Sequence, residues 1–266
     1  MKILVGAILL IASMAAGDEL RVAAAADLNY AFRDIAARFE RETGHEVNLI
    51  VGSSGNFYSQ IQNGAPFDLF FSADIQYPQK LQAAGLAEKG SLYRYAIGKI
   101  VLWVSNTSKL DVKKGLVVLL EPSVNRIAIA NPLHAPYGRA AVDALKSEKL
   151  YDKISDKFVL GENISQAAQF VQSGNADAGI LASSLVVAPA MRDVGRYYEI
   201  PTSEYPPIDQ GAIVLASSKN GSAQESDEVR ILGGFLKSDE VGLSGCQALC
   251  LQQQVVEIAV AATTTQ

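Results

Sequence analysis

"VGSSGNFYSQIQNGAPFDLFFSAD" spans Val51–Asp74. Two serines stand between Gly52 and Gly55, a short helical stretch ends at Gly64, and an apolar run lies between Asp68 and Asp74. Read outward, the pattern continues in both directions. "ELRVAAAA" (19–26) reads as a strand, and the next segment carries Leu28, Phe32, Ile35 and Phe39 at helical spacing with Gly44 as its stop. "EVNLIVG" is a strand leading into the serine loop, and "YPQKLQAAG" is a helix ending at Gly85. Strand and helix alternate, which calls for a parallel sheet with helices on both faces.

The same rhythm returns downstream. "KIVLWVS", "NRIAIANP", "KFVLG", "ADAGILASS" and "GAIVLASS" read as strands, the fourth followed by a turn. "YGRAAVDALKSEKLY", "ISQAAQFVQSG" and "SDEVRILGGFLKS" read as helices, the last with Val229, Leu232 and Leu236 along one side. Two α/β units of this size make two lobes. No Pro/Gly/Ser-rich linker separates them, so the crossings are expected to be extended strands near Ile97–Trp103 and Pro206–Val214. The expected division is 1–17 as a signal peptide, 18–99 with 212–266 as lobe one, and 100–211 as lobe two.

Bulk composition narrows the function. The 266 residues are 49% hydrophobic and 19% charged, enough to bury one large core or two modest ones and unlike a disordered chain. A formal net charge of −5 offers no basic field for nucleic acid. The N-terminus, "MKILVGAILLIASMAAGDEL", has Lys2, a short apolar run and then small residues, the layout of a secretory signal peptide. Cleavage after Gly17 would begin the mature chain at Asp18, giving an exported, periplasmic protein. Cys246 and Cys250 lie four apart and make no disulfide scaffold; they read as small apolar residues. His45 and His134 are too far from them in sequence to suggest a metal site.

Four loops stand just before helices: "AAAADLN", "VGSSGN", "NPLHAPYG" and "GENISQ". Helix N-termini carry unpaired N–H groups and the positive end of the macrodipole. In α/β folds these ends gather at the carboxyl edge of the sheet. Several aimed into one crevice would hold an anion without lysine or arginine. Taken singly, each loop is also read as an ordinary cap, and Asn163 with Gln166 forms a capping-box variant. An enzyme reading has less support. There is no Walker pattern, and "GSSG" is not the hydrolase nucleophile elbow. Ser54 or Ser53 as nucleophile with His134 as base is the only catalytic pairing available, and nothing in the sequence brings them together.

"GAPFDLFFSAD" (64–74) resembles a signature of the substrate-binding proteins of molybdate ABC transporters, and "AAAADL", "GSSGNFYSQI", "ANPLHAPYGRAAVDAL" and "GENISQAAQFV" follow in that family's order and spacing. The similarity runs from about Arg21 to Leu236. It implies a two-lobed, type II periplasmic-binding-protein fold, each lobe a mixed, mostly parallel sheet flanked by helices, with the ligand in the interlobe cleft. It further implies capture of molybdate or tungstate and delivery to a membrane permease, with no cofactor, no direct protein ligand to molybdenum and a monomeric state. The implied contacts are Asp27, Ser54, Tyr137 and Ile164, with Ala26, Ser53 and Asn163 as additional candidates. Ile164 would donate only its backbone N–H, and Tyr137 would supply the tyrosine hydroxyl that is missing at Ala182. The same fold binding sulfate, phosphate or chromate is the alternative. On this reading Gly52 and Gly55 let the backbone approach the anion, while Asp68 and Asp74 fix the strand end and cap the next helix.

Two departures stand out. The C-terminal "CQALCLQQQVVEIAVAATTTQ" does not resemble the family's closing helix. Asp27 stands where the family usually has serine or asparagine, and a carboxylate about 4 Å from a dianion is repelled by several kcal/mol even at an effective dielectric near 20. Three arrangements resolve this: Asp27 turns back as an N-cap to Asn29 or Tyr30, it is protonated, or the ligand itself carries a proton. The expectation is the first.

Overall fold

The computed structural model describes residues 19–216. The leader, the helix expected after Ser226, the two cysteines and the C-terminal segment lie outside these residues. In chain order the elements are β1 (Leu20–Ala25), α1 (Asn29–Thr43), β2 (Val47–Gly52), α2 (Ser54–Gln62), β3 (Leu69–Ser72), α3 (Gln76–Ala83), β4 (Tyr93–Gly98) and β5 (Ile100–Ser105). There follow β6 (Ile127–Ala130), α4 (Pro136–Ser147), α5 (Tyr151–Ile154), β7 (Phe158–Gly161), α6 (Ile164–Gln172), β8 (Ala178–Ala182), α7 (Ser183–Val186), α8 (Pro189–Arg192), β9 (Gly195–Glu199) and β10 (Ile208–Val214).

The strands form two five-stranded sheets, ordered β2-β1-β3-β10-β4 and β7-β6-β8-β5-β9. β1 pairs in parallel with β2 and β3, while β10 is antiparallel to both β3 and β4. In the second sheet β6 is parallel to β7 and β8, while β5 is antiparallel to both β8 and β9. Each sheet therefore has four strands in one direction and a single reversed one, which makes it mixed and mostly parallel. The reversed strands are the ones next to the crossings. β4 ends at Gly98 in one sheet and β5 begins at Ile100 in the other; β9 ends at Glu199 and β10 returns at Ile208. The return falls earlier than the sequence reading put it. Ile208–Gly211 pairs with β4, and Gly211 also pairs with Ser72 of β3, so this segment belongs to the first sheet.

Burial follows the strand period. Val22 and Ala24 face one core of the first sheet with Phe32, Ile35 and Phe39 of α1; Ala23 faces the other with Phe57 and Ile61 of α2 and Leu81 of α3. The core of the second sheet takes in Ala25, Ala26 and Ala73, from the carboxyl ends of β1 and β3. The two halves are thus packed together at the ends where the helix-preceding loops lie. Asp68 anchors the start of β3: its fully buried carboxylate accepts from Arg21 N at 2.8 Å, Nε at 3.1 Å and an η nitrogen at 3.0 Å. β4, β9 and the short helices α5, α7 and α8 are elements the sequence pattern did not announce. The alternation of β9 is weak because it is a half-exposed strand of "GRYYE".

Candidate functional site

All four loops converge on one cavity. Its lining takes in Ala26, Asp27, Ser54, Tyr137 and Ile164, with Ser53, Asn163 and Ala73 alongside. The space open to the centre of a water molecule is about 10 Å³, room for something compact. Ser54, Pro136 and Ile164 are the first residues of α2, α4 and α6, so three helix N-termini point inward. The backbone N–H groups of Ser54, Tyr137 and Ile164 have no acceptor among the described residues, as expected for first-turn amides without a cap.

The side chains divide the work in ways the sequence did not reveal. Ser54, 1% exposed, accepts from Ala73 N at 2.9 Å. That occupies a lone pair and leaves its proton to give. Ser53 instead donates to the His134 carbonyl at 2.5 Å. Asn163 caps α6 by accepting from Gln166 N at 3.0 Å, and Gln166 accepts in turn from Glu162 N at 2.6 Å. The Asn163 side chain is therefore committed to the helix. Asp74 caps α3 through Gln76 N at 2.9 Å and also accepts from Arg139 at 2.6 Å, so the guanidinium of α4 reaches across to the other half of the molecule.

Gly55 is tight for a different reason from the one expected. A Cβ there would stand 2.7 Å from the His134 carbonyl oxygen, which also accepts the Gly55 N–H at 3.0 Å. At Gly52 a Cβ would meet the Phe57 ring at 2.9 Å. Both glycines make room for neighbouring protein atoms, and Gly52 also lines the cavity.

Asp27 does not cap. Neither the 3-10 turn Ala26–Leu28 nor α1 has a side-chain cap bond. Its carboxyl, 4% exposed, turns inward: Oδ2 accepts from Tyr137 Oη at 3.0 Å and from Gln210 Nε2 at 2.8 Å. Oδ1 has no hydrogen-bond partner among the described residues. The expected capping role is thereby corrected, because the turn directs the carboxyl at α4 and β10 instead of back along the helix. Burial pushes the Asp27 carboxyl up to about 6, against smaller lowering from Gln210, Tyr137 and its own backbone amide. Burial, then the nearby Asp27 charge, hold the Tyr137 hydroxyl well above its ordinary value, so it stays a donor. That hydroxyl is spent on Asp27 rather than offered to the cavity. Gln210, which bonds both Asp27 and Tyr137, was missed; its only sequence signal is an amide inside the apolar strand "IDQGAIV". Ser165 and Ser184 were missed too. Their hydroxyls donate to the Ala26 and Asp27 carbonyls, each at 2.8 Å, and pin this turn to α6 and α7.

The hydrolase pairing is not assembled. The His134 ring lies 3.0 Å from the Glu162 carbonyl, and the His134 group that meets the serine loop is its carbonyl, which takes no proton from Ser53. Among the described residues no cluster of His, Cys, Asp and Glu could hold a metal ion. What the cavity presents is inward amides, the Ser54 hydroxyl and a buried carboxyl, with Arg139 engaged by Asp74.

A two-lobed α/β molecule with a small cavity ringed by helix N-termini between the halves is the architecture of an extracellular solute receptor. Residues 20–242 match the family model for the bacterial extracellular solute-binding proteins, and the chain belongs to that family. It is 41% identical to the molybdate-binding protein ModA of Azotobacter vinelandii over 82% of this chain and 85% of that protein. With ModA of Rhodobacter capsulatus it shares 38% over 80% and 82%. The solved periplasmic molybdate-binding protein of Azotobacter vinelandii superposes with a TM-score of 0.74 at 32% identity, covering 90% of this chain and 97% of that one. A sulfate-binding protein of Mycobacterium tuberculosis, SubI, shares the fold at a TM-score of 0.61 and 14% identity.

Proposed function

We propose that this protein captures a tetrahedral oxyanion, molybdate or tungstate, between its two lobes and delivers it to an ABC transporter permease in the inner membrane. The lobes are residues 19–99 with 208–216, and 100–207. The observation that carries the reading is the set of three unpaired first-turn amides, Ser54, Tyr137 and Ile164, around one compact cavity. Such a shell holds a small anion by hydrogen bonds and helix dipoles alone. The named specificity of the 41%-identical relative supports molybdate as cargo.

The ligand acts by differential affinity for the closed form. Closure here brings together Ser53 with His134, Asn56 with Glu162, Ser165 with Ala26, Ser184 with Asp27 and Arg139 with Asp74. The anion bridges amides from both halves and adds to these bonds only when the halves are together. The permease then reads the closed shape. The leader layout of residues 1–17 supports export to the periplasm after cleavage. In this reading the protein is a monomer, the oxyanion is cargo rather than cofactor, and the net charge of −5 disfavours nucleic acid as a partner. The Asp27 carboxyl favours one second reading, in which the cargo is a protonated oxyanion such as hydrogen phosphate.

Titration calorimetry of the purified protein with molybdate, tungstate, sulfate and phosphate tests this. One-to-one binding of the two larger anions, with the others silent, is expected. Preference for phosphate would overturn the cargo, and turnover of an ester without stoichiometric anion binding would overturn the class.

A further inference from the structure

Asp27 is an acid in the wall of a cavity built to hold negative charge. The two oxygens of its carboxyl are unequal. Oδ2 is saturated by Tyr137 and Gln210, both donating. Oδ1 is buried, has no partner among the described residues, and belongs to a residue lining the cavity. Gln210 and Tyr137 also bond each other at 2.7 Å, so Oδ2 is held by a closed triangle and the carboxyl is fixed in orientation.

No basic side chain pairs with this carboxylate among the described residues. The elements packed on the Ala26–Leu28 turn are α1, β2, α6 and α7. β2, α6 and α7 contain no ionisable side chain. In α1, Tyr30 is half-buried, Arg33 and Asp34 are exposed, and Arg33 gives its Nε to Asn29 at 2.8 Å. From α4 and β4 the facing groups are Tyr137 and, behind it, Tyr95, both held in the neutral phenol form by burial. An unpaired charge in such a place is costly, and a dianion beside it raises the cost.

We propose, resting on the oxyanion-carrier reading, that Asp27 binds its ligand as a neutral carboxylic acid whose Oδ1–H donates to a ligand oxygen, so that capture takes up a proton. The balance is simple. The carboxylate of the empty site takes one proton from solvent, a hydrogen bond forms to the anion, and no covalent bond to the ligand is made or broken. Tyr137 and Gln210 hold Oδ2, which leaves Oδ1 as the place for the proton. The upward displacement of this carboxyl to about 6 even without an anion agrees in direction. Asp27 is then a specificity residue: in acid form it accepts fully deprotonated oxyanions, and in charged form it would select anions bearing their own proton.

The experiment is calorimetry with sodium molybdate on the purified wild-type protein and on Asp27→Asn, across about pH 6 to 8.5, in two buffers of different ionisation enthalpy. Wild type is expected to take up close to one proton per anion near the top of this range, with affinity falling about tenfold per pH unit there. Asp27→Asn keeps a donor at all pH, so its proton uptake should vanish, its affinity stay flat, and its binding at high pH exceed that of wild type. The proton count in wild type needs no variant, so a poorly folding Asp27→Asn leaves the test intact. Tight wild-type binding without proton uptake overturns the proposal, as does equal uptake in both proteins. Hydrogen phosphate bound more tightly by wild type than by Asp27→Asn, without uptake, would make Asp27 a charged acceptor and overturn it as well. Absence of molybdate and tungstate binding by both folded proteins at every pH would instead remove the carrier reading, and this inference with it.

Discussion

The Ser53 hydroxyl and the His134 carbonyl meet at 2.5 Å across the cleft, and the Gly55 amide bonds the same oxygen at 3.0 Å. One carbonyl from the second half is thus gripped twice by the serine loop of the first. This bond exists only when the halves are together, so its worth is charged to the closed form. Ser53→Ala should lose about 0.5–1.5 kcal/mol of closure, a roughly two- to thirteenfold weaker oxyanion affinity. Gly55 N–H continues to satisfy the carbonyl, so thermal stability should hardly move. Calorimetry together with small-angle scattering checks this. Unchanged affinity would mean the contact has no part in closure.

Ser54 should behave differently. Its oxygen accepts the Ala73 N–H inside the fold, which leaves the hydroxyl proton of this cavity-lining residue free to be given. Ser54→Ala strands a buried amide and removes the proposed ligand donor at once. Each loss costs about 1–3 kcal/mol, so both melting temperature and affinity should fall, affinity by roughly ten- to a hundredfold. A fall in affinity with no change in melting would contradict the role given to the Ala73 bond.

Gly98, the last residue of β4, underlies the Asp27 triangle. A Cβ there would stand 2.5 Å from Tyr137 Oη and 3.0 Å from Gln210 Nε2. Gly98→Ala must displace the phenol, and overpacking of this kind costs about 1–3 kcal/mol. The expected result is a lower denaturant midpoint and a pH dependence of binding shifted from that of wild type, because the partners of Oδ2 have moved. A fully wild-type profile would mean the triangle is slack.

Stability of the empty protein should decline as pH rises from weakly acid to neutral. Burial, then the charge of Glu148, push the Glu204 carboxyl from 4.5 up to about 7, and Asp27 rises from 3.8 to about 6. In both cases the folded chain keeps a proton that the unfolded chain has already released. Their contribution is complete below the unfolded values and is lost as pH climbs through the folded ones. Glu204→Gln should therefore flatten the upper part of the decline and be the more stable protein above about pH 7. Urea midpoints across pH decide it; an identical slope in the variant would remove Glu204 as the cause.

The parts of the molecule legible in the sequence are those set by local pattern. Leu28, Phe32, Ile35 and Phe39 announce α1 by spacing, and all four are packed with β1 as that spacing requires. The loops before α2, α4 and α6 are legible because hydroxyl and small residues mark helix starts. Partnership across the cleft is not legible. Gln210 lies 183 residues from Asp27 and Ser184 lies 157 from it, and no local rule pairs an amide in one strand with an acid in a distant turn. The same limit produced the capping expectation for Asp27: an acid at a helix start is most often a cap, and here tertiary contacts from α4 and β10 override that preference. β4 and β9 were passed over because neither is fully buried, so neither shows a continuous apolar run.

Keeping the cleft free of committed positive charge has a kinetic consequence. The chain carries a formal −5, and the guanidinium of α4 is already engaged by Asp74. The three helix N-termini draw a dianion in only once it is close, while the net charge of the chain opposes its approach from a distance. The rate of encounter should therefore climb as salt is added, the reverse of ordinary electrostatic steering, because screening weakens a repulsion. Stopped-flow association at rising ionic strength would show it, and a rate that falls would point to a basic surface beyond the described residues. A receptor of this design fills slowly in dilute media, holds its cargo by short-range bonds, and loses that hold when the lobes part.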